Sequence, residues 1–210
     1  MLDVAANLIT IGRVGLVFLA IFLLYEHTLW AALAAFTLVL AAILMDWLDG
    51  VLARRNHTDT PFGAVMDILG DRIVENALWI VFAHLRLIPV WVPIVVVVRG
   101  FVTDAFRSVA LTQGETPFGE KTMIKSRIGR LLVTSRASRA LYAGAKVVAF
   151  CYMILYFALL QSASPVEGEW LHTVGLAIVY LTVALCLIRA IPVVQDGLAH
   201  VKRLRADPRG

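Results

Sequence analysis

Charge is scarce in this chain: Asp, Glu, Lys and Arg make up 16% of its 210 residues against 60% hydrophobic ones, and the mean hydropathy is +0.82. Soluble domains carry about 25% charged residues, so the deficit excludes an ordinary water-soluble fold and points to an integral membrane protein. Cysteine is nearly missing. Cys151 and Cys186 are the whole set, both inside apolar runs, which excludes a disulfide framework or a thiolate metal site and leaves packing as their role. The chain start lacks a basic stretch followed by a small-residue cleavage site, so the first apolar run reads as a retained span. No internal repeat and no low-complexity segment is visible. The histidines, His27, His57, His84, His172 and His200, fall near segment boundaries without a pair at ligand spacing.

What the chain does have is apolar runs. They cover about 8–25, 30–54, 62–85, 89–111, 140–160 and 171–194, each close to the roughly 20 residues that cross a bilayer. The expectation is an all-α integral membrane protein with six transmembrane helices, forming a single domain over 1–210. Residues 1–7 read as an interfacial lead-in. Glu26-His27-Thr28 breaks the first two runs apart, Pro61 is placed to begin the third helix, and Pro93 kinks or delimits the start of the fourth. Trp30, Trp91 and Trp170 suit interfacial anchoring. The basic residues gather in the turn at 54–60, in a basic segment at about 112–139 and in a basic tail at about 197–210, whereas the alternate loops hold only Arg86. The positive-inside rule then puts both termini and the acidic face described next on the cytoplasmic side. That is the pattern of a multi-pass protein of a bacterial or archaeal cytoplasmic membrane, with no nucleic-acid partner implied by its net charge of +4.

The exception to the oily pattern is DWLDGVLARRNHTDTPFGAVMDILGD, from Asp46 to Asp71, which carries five aspartates. At about 100° per residue, Asp46, Asp49, Gly50 and Ala53 share one helix face, at i, i+3, i+4 and i+7. Beyond a polar turn containing Asp59, Gly63, Asp67 and Asp71 form a second stripe at i, i+4 and i+8. Helices joined by so short a turn run antiparallel, so the stripes can face each other. Facing carboxylates repel unless a cation lies between them, and a lone acid in a bilayer costs about 3 kcal/mol even on insertion scales. Hard oxygen ligands suit Mg²⁺ or Mn²⁺, and four acids are enough for two ions. The plainer alternative has the acids hydrated at the interface or paired with Arg54, Arg55 and Arg72. It suffices for Asp59 alone; four acids interleaved with Gly50, Ala53 and Gly63 favour a metal site, since such small residues let a ligand or helix approach closely.

The same residues meet the pattern D-x-x-D-G-x-x-A-R, then G-x-x-x-D-x-x-x-D, in Asp46, Asp49, Gly50, Ala53, Arg54, Gly63, Asp67 and Asp71. This resembles the signature of the CDP-alcohol phosphatidyltransferases. The motif covers only the second and third spans; the other four agree in number and hydropathy. The resemblance implies a six-helix membrane enzyme, working as a homodimer, that moves a phosphatidyl group from CDP-diacylglycerol to an alcohol and releases CMP. It implies that Asp46, Asp49, Asp67 and Asp71 hold divalent ions, two of them, and that Gly50 and Arg54 contact the cytidine diphosphate. Ala53, Thr60 and Gly63 would line the same donor site, and Asp71 would act as the base for the attacking hydroxyl. Read from its chemistry alone, Arg54 offers a bidentate match to phosphate. Asn7, Thr10 and Arg13 are similar to the N-x-x-T-x-x-R lead-in of that family; alternatively, Arg13 snorkels to lipid headgroups.

The acceptor is less sharply marked. Arg99, Asp104 and Arg107 interrupt the fourth apolar run, and Arg99 lies deep enough to require a partner or a watery cavity. A phosphorylated alcohol would supply that partner. The spacing Arg99…Arg107…Gly114 is similar to the R-x₇-R-x₆-G run of bacterial phosphatidylglycerophosphate synthases, whose acceptor is glycerol 3-phosphate, and Arg136, Arg139 and Lys146 would complete an anion pocket. Internal pairing of Asp104 with Arg99 or Arg107 is the structural alternative. Departures from that branch are the MDILGDR form of the third-span motif, the lack of lysine at Ala140 and Tyr142, and a longer 115–137 segment. Arg72 after the last aspartate is closer to the inositol-phosphate branch, which keeps inositol 1-phosphate as the alternative acceptor. Arg189 receives no role beyond snorkelling or an internal ion pair. Two other function classes use membrane-embedded acids: intramembrane prenyltransferases, whose aspartate motifs lie in well-separated loops, and divalent-cation transporters, built from repeats with acids on broken helices.

Overall fold

The computed structural model describes residues 2–56, 61–112, 135–162 and 169–206, and among them there are six helices and no strand. These are α1 (Leu2–Leu24), α2 (Leu29–Asn56), α3 (Pro61–His84), α4 (Trp91–Thr112), α5 (Arg136–Leu160) and α6 (Glu169–Ala206). Three of them hold stretches long and apolar enough to cross a membrane: Leu29–Asp46, Ala137–Leu160 and Glu169–Ala199, with a shorter apolar stretch at Thr10–Leu24. In α3 and α4 the apolar run is interrupted by Asp67, Asp71, Arg72 and Glu75, and by Arg99, Asp104 and Arg107.

Local chemistry explains the boundaries. His27 (φ 50°) and Arg86 (φ 59°) adopt left-handed conformations just past the ends of α1 and α3. At Arg86 the bonds from Leu87 N to Phe82 O (2.9 Å) and from Arg86 N to Ala83 O (3.1 Å) close a Schellman turn. The Thr28 hydroxyl caps α2 by accepting from Ala31 N at 3.2 Å, and Ser135 caps α5 by accepting from Ser138 N at 3.1 Å. Pro61 opens α3 as expected. Three boundaries differ from the sequence reading. Helix α1 begins at Leu2, so the lead-in is already helical, and α4 begins at Trp91 with Pro93 in its first turn, where no N–H is needed. Helix α6 runs through Pro192 over much of the expected basic tail, because one proline removes a single ladder bond while Lys and Arg favour helix.

The chain forms two compact units, Met1–Val90 with Val147–Ala177, and Trp91–Lys146 with Ile178–Gly210. In the first, α1 packs on α2 and α3. The buried face of α1 is Thr10, Arg13, Val17, Ala20 and Leu24, and that of α2 is Ala32, Ala35, Val39 and Ala42. The alanines let the two backbones approach. Around Trp79 the packing is aromatic: its ring meets Phe150 at 4.9 Å and Phe82 at 6.4 Å, both edge-on. His172 Nε2 lies 3.0 Å from Leu87 O, tying the first turn of α6 to the turn after α3. In the second unit Val92 and Val96 of α4, and Val179, Val183, Cys186, Ala190 and Val193 of α6, are buried.

Candidate active site

Helical periodicity delivers the acids to one place. On α2, Asp46 follows Ala32, Ala35, Val39 and Ala42 on the same buried stripe, so it ends the face pressed against α1. On α3, Asp67 and Asp71 stand one turn apart and the stripe continues to Glu75, which is buried and lies 3.9 Å from Arg72. Asp46, Asp67 and Asp71 each offer a carboxylate oxygen within 4.8 Å of the others. Of the four sequence-predicted ligands these three converge; the Asp49 side chain lies outside the described residues, as do the side chains of Gly50, Ala53 and Arg54 and all of Asp59 and Thr60. Gly63 is half-buried one turn before Asp67 on α3.

A guanidinium occupies the middle of the cluster. Arg13 contacts Asp46 through one terminal nitrogen, and through the other it reaches Asp71 at 3.1 Å and Asp67 at 3.4 Å. Arg13 is 4% exposed, which overturns the snorkelling reading. Its position on the α1 stripe puts it under α2 and α3, where the aspartates outcompete lipid headgroups as partners. Gly70 makes room for it: a Cβ there would lie 2.7 Å from Thr10 Cγ2 and 3.0 Å from the Arg13 guanidinium. The aspartate side chains stay about half open, at 42%, 57% and 53% exposure, so a ligand can approach them opposite the buried arginine. Three hard oxygen donors, already holding one cation and still in excess over it, fit a divalent ion of the Mg²⁺ or Mn²⁺ type.

The second unit carries a cluster of the opposite sign. Arg99, Lys146 and Arg189 surround the ring of Tyr142, with charged atoms 5.6, 5.0 and 5.8 Å from its centroid. Arg99 donates through Nε to Cys186 Sγ (2.8 Å) and through a terminal nitrogen to the Tyr142 hydroxyl (2.9 Å). Arg189 donates to Ser138 Oγ at 2.5 Å. Two predicted acceptor residues, Arg99 and Lys146, thus come together; Arg139 is exposed one turn before Tyr142, and the side chains of Arg107 and Arg136 lie outside the described residues. Arg189, unassigned from sequence, joins the group. The signal was present in its depth alone, since a cation within an apolar run needs partners. Next to Arg99, α4 and α6 line an apolar groove of about 550 Å³ between Ile94 and Thr103 on one side and Leu187 and Gln195 on the other.

A family model for CDP-alcohol phosphatidyltransferases matches residues 3–188. The chain belongs to this family. Among its relatives, a CMP-forming cardiolipin synthase of Oryza sativa subsp. japonica is 44% identical over 71 residues, 34% of this chain and 22% of the relative. A CDP-diacylglycerol–glycerol-3-phosphate 3-phosphatidyltransferase of Bacillus subtilis is 30% identical over 121 residues, 52% of this chain and 63% of the relative. The like-named protein of Shigella flexneri serotype 5b is 26% identical over 183 residues, 86% of this chain and 87% of the relative. The chain spans less than two thirds of the length of the first of these relatives, 22% and 63%. Family membership sets aside the prenyltransferase and transporter readings, and the family's use of divalent metal agrees with the acidic cluster.

Proposed function

We propose that the protein is a membrane-embedded phosphatidyltransferase that moves the phosphatidyl group of CDP-diacylglycerol to the hydroxyl of glycerol 3-phosphate and releases CMP. The observation that carries this reading is the convergence of Asp46, Asp67 and Asp71 in a chain of this family. The acceptor follows from two supports: the names of the Bacillus subtilis and Shigella flexneri relatives, and a tricationic cluster suited to a phosphate dianion. Nothing comparable favours inositol 1-phosphate, since Arg72, the residue that raised it, faces Glu75.

In the mechanism, Asp46, Asp67 and Asp71, with Asp49, would hold Mg²⁺ or Mn²⁺, two ions when the site is full, and that metal would supply charge stabilisation for the donor diphosphate and the leaving CMP. As small or short residues, Gly50, Ala53, Thr60 and Gly63 would suit close approach of the nucleotide, and Arg54 would suit its phosphate. Arg99, Lys146 and Arg189 grip the phosphate of the acceptor. Asp71 takes the hydroxyl proton as the oxygen attacks the phosphorus bearing the diacylglycerol, and the bond from that phosphorus to the CMP oxygen breaks with its electron pair. The wider setting proposed is six spanning helices in a bacterial or archaeal cytoplasmic membrane, termini and acids on the cytoplasmic side, one catalytic domain over the whole chain, and a homodimer. The test is CMP release by the purified full-length chain given CDP-diacylglycerol, Mg²⁺ or Mn²⁺, and glycerol 3-phosphate, inositol 1-phosphate, inositol, serine or phosphatidylglycerol. Release with glycerol 3-phosphate alone is expected; release only with another alcohol reassigns the acceptor, and none with any alcohol removes the reading.

A further inference from the structure

We propose that Arg13 is a resident counter-cation of the acidic site and that it competes with the divalent ion for the same carboxylates. This rests on the metal reading of Asp46, Asp67 and Asp71. All three Oδ1 atoms face the Arg13 guanidinium, and these three residues are the ones whose oxygens come within 4.8 Å of one another. An ion needs carboxylate oxygens at about 2.1 Å, whereas a guanidinium holds them at about 2.8 Å, so an ion that takes these Oδ1 atoms must displace the guanidinium from them.

Arg13 cannot shed its charge, and it is 4% exposed with Nε lacking a hydrogen-bond partner among the described residues. A buried guanidinium with an orphaned nitrogen is kept in place by the carboxylates and little else. It is also wedged: Gly70 of α3 passes so close that an added Cβ would come 3.0 Å from its terminal nitrogen. Three carboxylates face this one guanidinium, and a dication gains more from several carboxylates than a monocation does. Arg13 therefore holds α1 against α2 and α3 while metal is absent and yields the oxygens when metal enters. It is a positioning residue that sets how tightly the site loads.

The test uses the full-length chain in lipid nanodiscs without nucleotide lipid, with Mn²⁺ binding followed by paramagnetic resonance and thermal unfolding measured in chelator and in Mn²⁺. Arg13→Gln is expected to bind Mn²⁺ about tenfold more tightly than the parent. Its unfolding midpoint should fall in chelator and recover in Mn²⁺. Arg13→Lys, which keeps the charge on a single ammonium, should fall between the two. Gly70→Ala leaves every charged group present but crowds the guanidinium, and tighter Mn²⁺ binding is expected there as well. If Arg13→Gln and Gly70→Ala fold and bind Mn²⁺ no more tightly than the parent, while Asp71→Asn loses it, the competition is overturned and the metal site stands. If the parent and every variant bind no Mn²⁺, the competition and the metal reading fall together.

Discussion

The two polar clusters of this protein are built on opposite charge balances. In the first unit three carboxylates meet one guanidinium; in the second, three cations gather on one tyrosine ring. The difference lies in how each imbalance is tolerated. The carboxylates are about half open and leave their surplus charge to be met by an incoming cation. The cations count a ring face, a hydroxyl on Ser138 and a thiol among their contacts. Under the proposed function the acidic cluster takes a dication and the basic one a phosphate.

That contrast breaks first at Asp71. Asp71→Asn should cut CMP release about 10²- to 10⁴-fold with an unchanged unfolding profile; retained turnover would take this carboxylate out of the chemistry. Chelation comes next. Removing divalent metal should abolish turnover, and Mg²⁺ or Mn²⁺ should restore it, while glycerol 3-phosphate binding measured by calorimetry survives, because Arg99, Lys146 and Arg189 are not metal ligands. Loss of acceptor binding in chelator would make acceptor binding depend on the metal. Arg189→Ala, or Arg99→Ala, should raise the KM for glycerol 3-phosphate about tenfold, the scale of a hydrogen bond to a charged group, and leave the KM for CDP-diacylglycerol alone. The smallest effect is expected at Tyr142→Phe, which keeps the ring and loses only the hydroxyl that Arg99 reaches; a rise in KM of about threefold fits one neutral acceptor.

Much of the first cluster was legible in the sequence because its information is local. The i+4 repeat of Asp67 and Asp71, the approach of Asp46 along an alanine stripe and the start of α3 at Pro61 all follow from helical periodicity and proline chemistry. Arg13 was not legible in the same way. Periodicity puts it on the buried face of α1, but its partner Asp67 is 54 residues away in sequence, and only packing decides which helix covers that face. Arg189 failed to declare itself for the same reason: its partners Ser138 and Tyr142 lie on another helix. The reach of α6 past residue 194 was hidden because hydropathy marks only the apolar part of a helix, while the basic tail, which is rich in helix-forming Lys and Arg, continues it to Ala206.

A proline sets how the longest helix yields to load. Pro192 has no N–H to give the carbonyl of Ile188, so α6 can flex at this level without breaking a main-chain bond. Arg189 stands three residues before Pro192, so the weakened level of the helix lies beside the group that reaches Ser138 and Tyr142.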